Sequence, residues 1–211
     1  MREEIRSLKR ERILEEAARL FAEHGYVGTT LDDVAARLQV AKPFIYSQFA
    51  NKSELLAASF NRIVDLCLAA VEQALASPQP AAERLRTLVR EIVHIAARNR
   101  PYGMIFLREE KSLDPAVLAE VRAKEDRWHA ALTTLLEEGV RNGEFDVPNV
   151  HLTALVIGGQ IAWLYAGRGA ASQFDTESVA DGIVELVMRM VRATASPGNG
   201  KGGRGKGLFR P

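Results

Sequence analysis

The chain has 211 residues, of which 47% are hydrophobic and 26% charged, and its formal charge at pH 7 is +1. That length supports one or two domains with a sizeable core, and that balance excludes a disordered or fibrous chain. A near-neutral total also excludes a global basic field, so any affinity for nucleic acid must come from a local patch.

Residues 1–12 mix both signs of charge without an apolar block, so no secretory leader is expected and a cytoplasmic location is. Apolar residues then recur at helical spacing nearly everywhere, with no period-two alternation between turns, which predicts an all-α fold. The first helix is expected over residues 5–24, with Ile13, Leu14, Ala17, Leu20 and Phe21 on one face and Gly25 as its left-handed stop. Thr30-Leu31-Asp32-Asp33 has the form of a capping box and opens a short helix buried through Leu31, Val34, Ala35 and Leu38. After the link 39–41 comes a second short helix over residues 42–49. Pro43 is tolerated there because its missing N–H falls in the first turn. Asn51-Lys52-Ser53-Glu54 caps one long helix, patterned by Leu55, Leu56, Phe60, Ile63, Val64, Cys67, Leu68 and Val71, that ends before Pro78 and Pro80. Cys67 is the only cysteine, cannot form an intramolecular disulfide, and reads as a buried structural thiol.

Helices over 82–99, 101–111, 115–141, 149–167 and 176–194 follow, separated by Pro, Gly and Asp-Pro, and antiparallel packing of such helices makes a bundle. The apolar stretch 152–167 is too short and too interrupted for a membrane span and reads as a buried helix. Beyond Ser196 the glycine-rich basic run cannot bury enough apolar surface to order itself. It is either a weak DNA-adhering arm or an extension of cloning or read-through origin. The expected division is therefore 1–52, 53–195 and a flexible tail, 196–211.

Two short helices joined by a tight turn and braced by a longer one describe a helix-turn-helix, whose second helix can enter a major groove. Residues 34–53 contain Arg37, Lys42 and Lys52 but no carboxylate, whereas residues 1–33 hold eight. A phosphate-facing surface needs that exclusion. At about 100° per residue, Ile45 and Phe49 turn inward toward Leu31, Val34 and Leu38, which leaves Pro43, Phe44 and Ser47 outward with Lys42, Tyr46 and Gln48 on the flanks. An outward Phe44 needs a cover, and a thymine methyl supplies one. Tyr46 and Lys52 are assigned to phosphates and Lys42 to phosphate or guanine. Ser47 and Gln48 are assigned to base edges or phosphate, and Thr30 to capping plus one phosphate. The competing reading makes Phe44 and Tyr46 ordinary core and both lysines solvated charges.

The segment 29–35 (Thr-Thr-Leu-Asp-Asp-Val-Ala) and the segment 40–55, which runs through Tyr46, Phe49 and Asn51-Lys52-Ser53-Glu54, resemble the DNA-binding signature of the tetracycline-repressor (TetR) family. With the lead-in Phe-Ala-Glu-His-Gly-Tyr at 21–26, the likeness covers residues 8–56. Pro43 and Phe44 depart from the small residue and threonine frequent there, so operator preference does not carry over. The resemblance implies a homodimeric regulator of double-stranded operator DNA, a repressor released by a small-molecule effector, with no cofactor. It also implies that the last two helices pair across a two-fold axis.

The residues fit that implication. Val179, Ile183, Leu186, Val187 and Met190 form an apolar stripe. Gly158 and Gly159, which cost about 1 kcal/mol each against alanine, are explained by close backbone approach, by a kink, or by tight packing within one core. Tyr102, Phe106, Trp128 and Trp163, with His94, His129 and Gln160, make an apolar cavity with a few polar anchors, or else plain core. A likeness of residues 106–114 to regulators of lipid catabolism implies an acyl-CoA-like ligand. No phosphate-cradling glycine loop, no metal-ligand spacing among His24, His94, His129 and His151, and no histidine near Cys67 in sequence point to an enzyme or a metal site. The alternative is a helical ligand-binding or protein-interaction module without DNA readout.

Overall fold

The structure is a computed structural model that describes residues 2–166 and 174–191; the tail 196–211 and the expected helix ends at 167 and 192–194 lie outside the described residues. These residues form nine α-helices and one short 3-10 turn. α1 (Arg2–His24) stops at Gly25, whose φ of +77° only glycine adopts freely and whose N–H donates to the Phe21 carbonyl at 2.9 Å. α2 (Leu31–Leu38) opens on the expected capping box. The Asp33 N–H donates to Thr30 Oγ1 at 3.2 Å, and Asp33 Oδ2 accepts the Thr30 N–H at 2.7 Å. The link to the next helix is tight because Gln39 takes the left-handed conformation, φ 55°.

α3 (Lys42–Tyr46) spans only 5 residues, shorter than the expected 42–49. The Ser47 hydroxyl donates to the Phe44 carbonyl at 2.8 Å, a local bond that competes with helix continuation, and the chain turns over 47–48. α4 (Lys52–Ala76) is capped by Asn51 Oδ1, which accepts the Glu54 N–H at 2.9 Å. α5 (Ala81–Arg98), α6 (Arg100–Arg108), the 3-10 turn Glu110–Ser112, α7 (Pro115–Arg141), α8 (Val150–Ala166) and α9 (Thr176–Val191) complete the bundle.

Pro80 offers α5 no side-chain cap, so a distant residue does it: Glu144 accepts the N–H groups of Ala81 at 3.1 Å and Ala82 at 2.9 Å. These bonds, with that to Ala82 foremost, hold the Glu144 carboxyl below its ordinary value. One continuous hydrophobic core runs from Ile13 of α1 to Val191 of α9, crossing the expected boundary at 52/53. α4 is its spine, packing on α1, α5, α6 and α7. α8 is not the buried helix expected: Ala154 and Ile157 face inward while Leu152, Leu155, Val156 and Trp163 are exposed. Its contacts come from α5, α6 and α7, which cover one side and leave an apolar face on the other. Among the described residues no helix is long and apolar enough to cross a membrane.

Candidate DNA-reading face and effector cavity

α3 stands at the surface of the N-terminal unit. Ile45 and Phe49 are fully buried with Leu31 and Val34, and Leu38 packs on them, as helical phase predicts. Lys42, Pro43, Tyr46 and Ser47 are exposed, and so is Thr30 at the head of α2. Phe44 is not outward: it is half-buried against the core, with the Lys9 ammonium 5.5 Å from its ring centre. The cover sought for it is supplied by α1, because α3 lies close enough for a residue nine positions into the chain to reach over it.

The segment that is acid-free in sequence is not acid-free in space. Asp32, at the start of α2, accepts a 2.5 Å bond from Lys42 Nζ, and this bond raises the lysine above its ordinary value. Lys52 turns inward: its ammonium donates to the Tyr26 carbonyl at 2.9 Å and sits 4.3 Å from the Tyr26 ring centre. Gln48 is half-buried; its Nε2 donates to Ser47 Oγ at 3.0 Å while its Oε1 is buried without a partner among the described residues. Arg10 of α1, which the pattern did not single out, donates to the Gln48 carbonyl and to Glu54, and its guanidinium lies 3.9 Å from the Phe49 ring centre. The exposed polar groups on α3 and at its C-terminal end are therefore the Tyr46 phenol, the locally bonded Ser47 hydroxyl and the paired Lys42.

In the second half, α4, α5, α6, α7 and α8 line a half-open cavity of about 280 Å³, near the lower end of the size range of small-molecule sites. Its wall is apolar, built from Ile63, Val64, Ile92, Leu155 and Ala162 with Cys67, Gly158 and Gly159. Of the seven residues expected there, Phe106, Trp128 and His129 line it. The other four lie elsewhere. Tyr102 is buried with its hydroxyl unpartnered among the described residues. Burial pushes that phenol up, and the nearest charges, Glu11, Arg62, Glu15 and Arg19, place it toward α1 and α4. His94 faces α9, 3.5 Å from Glu177. Trp163 is 77% exposed, on the uncovered side of α8. Gln160 is half-buried, its Oε1 unpartnered among the described residues, and it does not line the cavity.

The pattern missed Glu125, the acidic group of the wall. Burial, then the nearby Glu110 and Asp126, push its carboxyl up, against a lowering by Arg122. It falls one helical turn before Trp128 and His129, so the i, i+3, i+4 spacing on α7 was the signal. Cys67 is half-buried on the wall, not sealed in the core. Gly158 owes its place to close packing within the protomer: a Cβ there would lie 3.0 Å from His129 and 3.1 Å from Trp128. Gly159 has no such neighbour and borders the cavity.

Comparison with known proteins agrees along both halves. Residues 13–59 match the family described as bacterial regulatory proteins, tetR family, and residues 78–191 match the tetracyclin repressor-like C-terminal domain. The chain is 28% identical over 184 residues to the HTH-type transcriptional activator FasR of Mycolicibacterium smegmatis, covering 86% of this chain and 82% of that one. It superposes on PfmR, a TetR-family transcriptional regulator from Thermus thermophilus, with a TM-score of 0.77 and 31% identity over 84% of this chain and 97% of that one. It also superposes on AibR, solved with isovaleryl coenzyme A and operator DNA, with a TM-score of 0.73 and 26% identity over 84% of this chain and 97% of the other. With both halves matched in register, the chain belongs to the TetR family of DNA-binding transcriptional regulators, and not to an enzyme family.

Proposed function

We propose that the chain acts as a homodimeric repressor that leaves its operator when a lipophilic effector, such as the acyl part of an acyl thioester, enters the cavity. Residues 1–52 read the duplex, with Tyr46, Ser47 and Lys42 as the contacting groups and Pro43 and Thr30 beside them. Residues 53–195 bind the effector and pair two copies, and the protein works in the cytoplasm. Phe106, Trp128 and His129 are the predicted ligand residues retained, joined by Glu125. The observation that carries the reading is α4. One unbroken helix meets the DNA-reading unit at Asn51 and Lys52 and walls the cavity with Ile63, Val64 and Cys67.

Two further features support it. The exposed Leu152, Val156 and Trp163 of α8, with Leu186 of α9, give an apolar face that an isologous interface would bury. Among the described residues no lysine or arginine lines the cavity, so an acyl chain enters while the phosphates of its carrier stay outside. AibR, with its bound isovaleryl coenzyme A, makes this ligand class the one to try first.

The dimer would present two copies of α3 to successive major grooves about 34–36 Å apart, and the effector acts by favouring a conformation with another spacing. Selection of bound fragments from random DNA, followed by anisotropy titrations with acyl-CoA thioesters of graded chain length, tests this. Enrichment of a palindrome, and weaker operator binding with a chain-length optimum, are expected. An unenriched pool would favour a carrier without DNA readout, and affinity indifferent to every thioester would reject that ligand class.

A further inference from the structure

We infer that Glu109 is a positioning residue through which occupancy of the cavity sets the placement of the DNA-reading unit, an inference that rests on the cavity being the effector site. Glu109 caps the C-terminus of α6, three residues after Phe106 on the cavity wall. Phe106 also packs on Phe60 of α4, ring centres 5.8 Å apart. The Glu109 carboxylate leaves its own half of the molecule. Its Oε1 accepts the Tyr26 N–H at 3.2 Å, across the turn between α1 and α2, and its Oε2 accepts the Ser112 hydroxyl at 3.3 Å.

The Tyr26 N–H is available for a local reason. α1 ends in the simple left-handed motif, with the Gly25 N–H donating to the Phe21 carbonyl; in the fuller motif the next N–H would fold back onto that same carbonyl. Here Glu109 takes that next N–H instead. The rest of Tyr26 is held by α4: its carbonyl accepts from Lys52, and its hydroxyl lies 3.1 Å from Ser53 Oγ. Its ring meets Phe21 edge-on, with centroids 5.5 Å apart. The turn itself is stiff, since the Thr29 N–H donates to the Tyr26 carbonyl at 3.3 Å and the buried Thr29 hydroxyl donates to the Gly25 carbonyl at 3.0 Å. A shift of Tyr26 therefore carries Thr30, and with it α2 and α3.

α4 and α6 both run from the cavity to this turn, so two routes for coupling exist, and Glu109 makes a polar contact on the α6 route. A carboxylate bonded to a backbone N–H is directional, and a sliding of α6 by a fraction of an ångström lengthens it where apolar packing would only re-settle.

Cys67, the single cysteine of the chain, lies on the cavity wall and permits a test without a known effector. With octyl methanethiosulfonate, the Cys67 thiol displaces methanesulfinate and carries the octyl chain into the cavity as a mixed disulfide. In the wild type, labelling should weaken binding to the selected operator by about tenfold. In Glu109→Ala the labelled and unlabelled proteins should differ by less than about twofold, whereas Glu109→Gln, whose amide oxygen still accepts the Tyr26 N–H, should keep the response. A full response in Glu109→Ala of wild-type helicity would overturn the inference and leave the α4 route. Unchanged operator binding by the labelled wild type would instead remove the effector reading of the cavity, and the inference with it. Should Glu109→Ala not fold, hydrogen exchange of the Tyr26 amide in the wild type decides: faster exchange after labelling is expected, and unchanged protection overturns the inference.

Discussion

The two regions that α4 joins treat their polar groups in opposite ways. In the DNA-reading unit the cations nearest α2 and α3 already have partners inside the protomer. Lys42 is held by Asp32, Lys52 by the Tyr26 carbonyl, Arg10 by Glu54, and Arg37 by Glu16 at 3.0 Å and Glu23 at 3.2 Å. Around the cavity polar groups are few and poorly satisfied: the Glu125 carboxyl is displaced upward by burial, and Trp128 Nε1 is buried without a partner among the described residues. If Lys42 contacts the duplex as proposed, binding is an exchange in which it trades a carboxylate for a phosphate, and its net gain is small per contact. Filling the cavity is a completion, since an apolar body with one polar end removes apolar wall from water and can satisfy a buried donor.

The largest effect should come from breaking the cavity half. A Cβ on Gly139 would lie 2.1 Å from Phe145 Cδ2; the Phe145 N–H and that of Glu144 both donate to the Gly139 carbonyl, at 3.1 and 2.8 Å, which holds the backbone, and the ring is buried, so a new methyl must displace packed core. Gly139→Ala should cost about 3 kcal/mol and lower Tm by about 10 °C in a circular-dichroism melt. The continuous core predicts that the whole molecule melts in one step; an N-terminal transition left at its original temperature would show that the halves unfold separately. The matching break at the other end is Thr30→Ala. It removes one side of the capping box and should cost about 1 kcal/mol, with Thr30→Ser restoring most of it. A melt that Thr30→Ala does not move would mean that the box contributes nothing to α2.

The same contrast decides what could be read from the sequence. The DNA-reading unit is specified by short-range signals: Gly25 stops α1, Thr30 with Asp33 opens α2, and Asn51 opens α4, each within four residues of its partner. Helical phase placed Ile45 and Phe49 inside for the same reason. What escaped were contacts made only by folding: Lys9 over Phe44, Asp32 against Lys42, and Glu144 on the head of α5. The cavity was legible only by half because aromatic character says nothing about which face of a helix points where. Phe106 and Trp128 turn to the cavity, whereas Tyr102 and Trp163, no less aromatic, face α1 and the outside. Apart from Cys67, Glu125 and His129, the remaining wall, from Ile63 to Ala162, is aliphatic or glycine, and nothing in those aliphatic and glycine residues alone separates a cavity lining from core.

The exchange picture is sharpened at Asp32. If Lys42 must give up Asp32 to reach a phosphate, Asp32→Asn should raise operator affinity a few-fold, because it frees the cation and removes a carboxylate that the duplex repels. Lys42→Ala should act in the opposite sense and make the dependence of log K on log salt shallower by about one unit. Anisotropy titrations at several salt concentrations measure both. Equal weakening by Asp32→Asn and Lys42→Ala would mean that the pair is needed intact to hold α2 against α3, and that Lys42 makes no phosphate contact.

The smallest effect is the one that isolates the cavity's unsatisfied charge. The folded Glu125 carboxyl titrates above its ordinary value of 4.5. Between that value and the raised one the native state binds more protons than the unfolded chain. Stability therefore falls as pH rises through this window, and stays at its reduced level above it. Glu125→Gln should lift Tm at pH 7 by no more than about 2 °C, because the group is only half-buried and water screens much of the cost. The lift should vanish below the ordinary glutamate range, where the native side chain is protonated whether the chain is folded or not. Melts from pH 4 to pH 8 separate the cases: a lift that follows pH belongs to the charge, and one of equal size at both ends would assign it to the shape of the amide in the wall.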